Sequence, residues 1–161
     1  MNLRTLVALA FSSLLVGCGS TVSNAGSEPD RTTLPESLEE ARQLWKKRDI
    51  ENYAVTAQMT CYCPQDLLQP IRLEIKGGKV VATEGLQRPL ENLTREDAER
   101  MTVDGLFRFV EDAQRRDAHL LDVSYDDEYG FPTLINYDGH KMIADDERQY
   151  RLSDFEPGAL R

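Results

Sequence analysis

Ile71-Arg-Leu-Glu-Ile-Lys-Gly-Gly-Lys-Val-Val-Ala-Thr83 is the stretch on which the fold turns. Ile71, Leu73 and Ile75 alternate with Arg72, Glu74 and Lys76, the period-two pattern of a half-buried strand. Gly77-Gly78 tolerates the left-handed backbone of a two-residue hairpin turn, and Lys79 to Thr83 returns as the partner strand.

Upstream, Tyr53, Val55, Ala57, Met59, Cys61 and Cys63 alternate in the same way until Pro64 stops the strand. Before them, Ser37-Leu-Glu-Glu40 has the spacing of a capping box, and Leu38, Ala41, Leu44 and Trp45 recur at helical period. This predicts a helix over 37–48. The first half thus reads α-β-β-β. Residues 84–101 are polar and irregular, with Thr94-Arg-Glu-Asp97 positioned to cap a short helical turn. Thr102 then caps a second helix whose apolar face is Val103, Leu106, Phe107, Val110 and Ala113. Strands follow at Leu121 to Tyr125, Thr133 to Tyr137 and Gln149 to Phe155, with turn signals at Gly130-Phe131-Pro132 and Asp138-Gly139. The second half is again α-β-β-β. The expected class is α+β: two α-β-β-β units forming an antiparallel sheet, with two helices packed on one face. One continuous six-stranded sheet and two small subdomains are both compatible with this order.

The start of the chain says where the protein sits. Met1-Asn-Leu-Arg4 precedes an apolar run from Leu6 to Val16, shorter than the roughly 20 apolar residues a membrane span needs. Leu15-Val-Gly-Cys18 has the form of a lipobox, at which bacteria acylate the cysteine and cut before it. The expected organisation is a signal peptide over 1–17, a flexible tether over 18–35 with lipidated Cys18, and a single α+β domain over 36–156. The tether, rich in small and polar residues, has a mean reach of roughly 20–25 Å. Gly19, where an Asp would favour inner-membrane retention, points to the outer membrane, facing the periplasm.

A net charge of −9 argues against nucleic acid and against direct adhesion to anionic headgroups. Losing the signal, with Arg4 and no acid, makes the charge one unit more negative. With Cys18 acylated, Cys61 and Cys63 remain as a pair in an oxidising compartment, which favours a disulfide. In a regular strand their Cα atoms would lie near the 6.8 Å limit for such a bridge, so a kink is required. A redox-active dithiol and a metal site are the other readings of the element. His119 and His140 lack zinc-site spacing, the acidic runs 126–128 and 145–147 lack that of a calcium loop, and no metal or cofactor is expected. There is no Gly-x-Ser-x-Gly and no His-Glu-x-x-His, so the chain reads as no enzyme. Tyr125-Asp-Asp-Glu-Tyr129-Gly-Phe131-Pro132 reads either as a structured hairpin or as a partner-binding loop, with Tyr125, Asp126, Tyr129 and Phe131 as its contacts.

Several of these motifs occur together and in a fixed order. They are the lipobox, Trp45-Lys-Lys-Arg48, Tyr53, Cys61-x-Cys63-Pro64, Thr102-Val-Asp-Gly-Leu-Phe107, Tyr125-Asp126 with Gly130-Phe131-Pro132, and Asp145-Asp-Glu147 with Tyr150. As a set, over Leu38 to Phe155, they resemble a family of bacterial envelope lipoproteins whose domain is catalogued only as a domain of unknown function. The resemblance implies an envelope location and no established activity. The expected function is therefore a lipid-anchored envelope lipoprotein that binds another protein or an envelope component. The alternative is a cysteine-dependent redox or metal-handling protein using Cys61-x-Cys63.

Overall fold

The computed structural model describes residues 35–143 and 145–158. Cys18, the expected signal and nearly all of the expected tether lie outside the described residues. Helix α1 spans Leu38–Arg48. Ser37 Oγ accepts from the Glu40 N–H at 3.2 Å, but Glu40 Oε2 accepts from the N–H of Glu36, at 3.0 Å, instead of closing the box on Ser37. Lys46, Lys47 and Arg48 occupy the last turn, favourable for the helix dipole, and Asp49 ends it with φ 51°.

Strands β1 (Tyr53–Cys61), β2 (Ile71–Lys76), β3 (Lys79–Gly85), β4 (Leu120–Tyr125), β5 (Pro132–Asp138) and β6 (Arg148–Pro157) make one antiparallel sheet in the order β3-β2-β1-β6-β5-β4. This is the continuous six-stranded form. The two halves of the chain meet at its centre, where β1 pairs with β6 from Tyr53↔Pro157 to Cys61↔Arg148. The mixed α+β class is as expected. The element order is richer than a doubled α-β-β-β, because a 3-10 turn (Gln65–Leu68) and helix α2 (Arg95–Arg100) intervene before α3 (Val103–Arg115).

The extra helix has a local cause. Thr94 and Asp97 form a capping box: the Asp97 N–H donates to Thr94 Oγ1 at 3.1 Å and the Thr94 N–H to Asp97 Oδ2 at 3.3 Å. Thr102 caps α3 in turn, accepting from the Gly105 N–H at 3.0 Å. Gly105 is needed for a close approach, since a Cβ there would collide with the Glu99 and Arg100 carbonyl groups of the helix before. The stretch between β3 and α2 is held from afar. The Gln69 side chain, fully buried, accepts from the N–H of Gln87 at 3.2 Å and of Arg88 at 2.9 Å. Asp66 does the same for Glu91 at 3.0 Å and Asn92 at 2.6 Å.

The core lies on one face of the sheet. Tyr53, Val55, Ala57 and Met59 of β1, Ile71, Leu73 and Ile75 of β2, Ile135 of β5 and Leu152 of β6 pack against Ala41 and Trp45 of α1 and Leu106, Phe107 and Val110 of α3. Tyr53 ties the halves together: its hydroxyl accepts from the Val103 N–H at 3.1 Å, at the start of α3. Burial pushes the Tyr53 phenol far above its ordinary range, opposed by the Val103 hydrogen bond.

Candidate functional site

The antiparallel register gives the sheet two ends. Tyr53 of β1 and Pro157 of β6 mark one, and Cys61 and Arg148 mark the other. Each end gathers aromatic side chains, but they are covered differently.

At the Tyr53 end, Trp45, Tyr53, Tyr129, Phe131 and Phe155 form one cluster. Phe131 and Phe155 have ring centroids 4.7 Å apart, and Trp45 meets Tyr53 edge-on at 5.6 Å. The loop read as a possible partner contact belongs to this cluster. Asp126 organises it, accepting through Oδ1 from the N–H of Glu128 at 3.0 Å and of Tyr129 at 2.7 Å. Gly130, at φ 83°, lies against the Ala41 carbonyl, where no Cβ fits. Phe131 is 3% exposed. Tyr129 is half-buried, 5.0 Å from Phe155, with the Arg48 guanidinium 5.5 Å from its ring centre. Tyr125 is half-buried, and burial pushes its phenol up to about 12, with Arg42 opposing. The loop is a structured hairpin, with Tyr125, Asp126 and Tyr129 half-buried and Phe131 buried. Phe131 offers no surface as an anchor, because Gly130 and Pro132 turn it into the core.

The Cys61 end is built differently. Strand β1 stops at Cys61, two residues before the expected end, and the chain bends through Tyr62 and Cys63. The bend supplies the required kink. It draws the two Cα atoms to 5.3 Å, with the sulfurs at bonding distance and both side chains half-buried. Tyr62 between them is 87% exposed.

Beside this bend runs a groove. Gly105, Arg108, Phe109, Asp112 and Ala113 of α3 and Arg116 at its C-cap recur at helical spacing and line a cavity of about 410 Å³ with Tyr137 of β5 and Arg148 and Tyr150 of β6. Phe109 forms the floor, 5.0 Å from Tyr137 and 4.9 Å from Tyr150 by ring centroids. Arg100, Arg148 and Tyr150 also line an adjoining cavity of about 230 Å³ that contains Cys61 and Cys63. Arg100 is held by Glu96 at 2.5 Å. Arg108, Arg116 and Arg148 form no ion pair among the described residues. Burial raises the Tyr150 phenol, while a hydrogen bond to Arg148 and then the charges of Arg148 and Arg100 pull against it. Asp146 enters the same cavity, with Oδ1 buried and unpartnered among the described residues.

The arrangement presents guanidinium groups around an aromatic floor. It suits an anion with a planar or apolar portion, since guanidinium matches carboxylate and phosphate in a bidentate fork and stacks on flat groups. The sequence reading singled out none of these arginines. The α3 spacing of Arg108 and Arg116 was visible, but Arg100 and Arg148 reach the groove from two other elements. His140 is a turn residue whose Nδ1 accepts from the Met142 N–H at 3.2 Å. Among the described residues, no three His, Cys, Asp or Glu side chains cluster as a metal set.

A family model described as a family of unknown function (DUF6174) matches residues 37–157. No curated protein and no solved structure matches the chain.

Proposed function

We propose that this chain, which belongs to the DUF6174 family of unknown function, is a lipid-anchored lipoprotein of the bacterial envelope that binds an anionic protein or envelope component and performs no turnover on it. Anchoring is supported by the Leu15-Val-Gly-Cys18 lipobox and the small polar stretch after it. The observation that carries the binding reading is the groove's charge. On a chain with net charge −9, Arg100, Arg108, Arg116 and Arg148 line one cavity with Phe109, Tyr137 and Tyr150, outnumbering the carboxylates of Asp112 and Asp146 there, and Arg108, Arg116 and Arg148 form no ion pair among the described residues. An acidic protein repels anions in general, so such a site discriminates by local geometry.

Crosslinking in intact cells tests this. The wild-type chain yields a defined crosslinked species, and the double charge reversal Arg108→Glu and Arg116→Glu abolishes it while the protein stays folded by circular dichroism. An unchanged crosslinking pattern in the double variant would remove the groove from the account. Anchoring is checked separately: Cys18→Ser moves the protein to the soluble fraction, and continued membrane fractionation contradicts the lipid anchor.

A further inference from the structure

The Cys61–Cys63 bridge has a setting that a purely structural disulfide does not need. It closes almost no loop, so it constrains the unfolded chain very little. Cys61 is the register partner of Arg148 on β6, and cross-strand partners share a face with Cβ atoms about 4.5–5.5 Å apart. The bridge, Arg148 and Arg100 line one cavity, together with Asp97 and Asp145. Arg100 spends its charge on Glu96 and Asp97, at 2.5 and 3.9 Å, whereas Arg148 has no ion-pair partner among the described residues. Access comes from the bend: Tyr62, 87% exposed, lies outside the sheet and leaves the pair half-exposed at the surface.

We propose that Cys61–Cys63 is an exchangeable disulfide that accepts two electrons from a client dithiol, with Arg148 stabilising the departing Cys61 thiolate. The client thiolate attacks Cys63 Sγ. A client–Cys63 bond forms as the Cys61–Cys63 bond breaks, and the electron pair leaves on Cys61 Sγ, opposite Arg148. The client's second thiol, deprotonated, then attacks its own sulfur in the mixed disulfide and releases Cys63 as a thiolate. The client ends as a disulfide and the Cys61–Cys63 pair as a dithiol. The two protons lost by the client are taken up by the two cysteines or by solvent. A cation beside the leaving sulfur stabilises the reduced form and so makes the disulfide a better oxidant. This step does not depend on what the arginine groove binds.

The test uses the full chain with Cys18→Ser, so that Cys61 and Cys63 are its cysteines. The protein is equilibrated in buffers of varied reduced to oxidised glutathione, quenched in acid, alkylated and weighed intact. The pair is expected to pass from oxidised to reduced within the accessible range of glutathione ratios. Arg148→Gln should move the midpoint about tenfold toward needing more reduced glutathione, and Arg148→Lys should restore most of the shift. A pair that stays oxidised at every ratio overturns exchange, as does one that stays reduced at every ratio. A midpoint unchanged in Arg148→Gln overturns the role of Arg148.

Discussion

The two ends of the sheet use the same kind of side chain for opposite purposes. At the Tyr53 end, Trp45, Tyr53, Phe131 and Phe155 close on one another, and the loop from Asp126 to Phe131 folds its own aromatics inward as the lid. At the Cys61 end, Phe109, Tyr137 and Tyr150 pack just as closely, yet the groove above them is ringed by arginines instead of apolar side chains. The difference teaches that aromatic content does not locate a binding surface. What matters is whether the neighbouring chain turns inward to cover the rings. Gly130 and Pro132 bring that about at one end. At the other, β6 begins with Arg148, the register partner of Tyr137, and presents a charge there.

The sharpest way to break this comparison is to truncate one ring from each cluster. Phe131→Ala empties a fully buried site and should cost about 3–5 kcal/mol of unfolding free energy. Phe109→Ala, at a half-buried position on the groove floor, should cost roughly 1–2 kcal/mol. Urea denaturation of both variants measures the pair. Equal losses would mean that both clusters are core and that the groove is only surface relief.

A smaller effect separates the tyrosines. Tyr53→Phe leaves the buried Val103 N–H without its acceptor and should cost about 1–3 kcal/mol. It should also change the response to alkali. Folding raises the Tyr53 phenol above its ordinary value of 10.0, so the folded state holds a proton that the unfolded chain gives up. Stability from this source is therefore fully present below about pH 10 and falls as the pH climbs from there toward the folded pKa. Tyr125, pushed up to about 12 by burial, adds to the same loss. Unfolding free energies from about pH 9 to about pH 11 should decline more gently in Tyr53→Phe than in the wild type. Parallel declines would show that Tyr53 does not carry the alkaline sensitivity.

How far the sequence could lead follows from the range of each interaction. The Ile71–Thr83 hairpin, the α1 and α3 caps and the one-sided core depend on neighbours a few residues away, so periodicity and turn chemistry revealed them. The stretch after β3 looked irregular because its hydrogen bonds come from Gln69 and Asp66, between 18 and 26 residues earlier. The early stop of β1 was hidden as well. Alternation runs on through Cys63, and only the bend at Tyr62 shows that the pattern outlasts the strand. The groove was the least legible part, since its arginines lie on α2, on α3 and its C-cap, and on β6, and converge only once β1 and β6 join the halves.

The smallest expected effect on stability bears most directly on what the arginines are for. Arg108 on α3 and Arg116 at its C-cap lie about two turns apart, with Arg148 lining the same cavity and no ion pair made by any of the three among the described residues. Side chains placed to hold a fold lower its energy through their partners. Like charges gathered without ion-pair partners raise it slightly, and an anionic ligand would offset that cost. The double variant Arg108→Gln and Arg116→Gln should thus stay within about 0.5 kcal/mol of wild type, and any change should be toward greater stability, largest at low salt. Thermal unfolding at low and high ionic strength reads this out. A loss above about 1 kcal/mol would mean that the guanidinium groups support the aromatic floor through their own packing, as long cationic side chains do on apolar surfaces. The Cys61 end would then be sealed in its own way, by arginine stems instead of a folded loop, and the contrast between the two ends would reduce to a difference in materials.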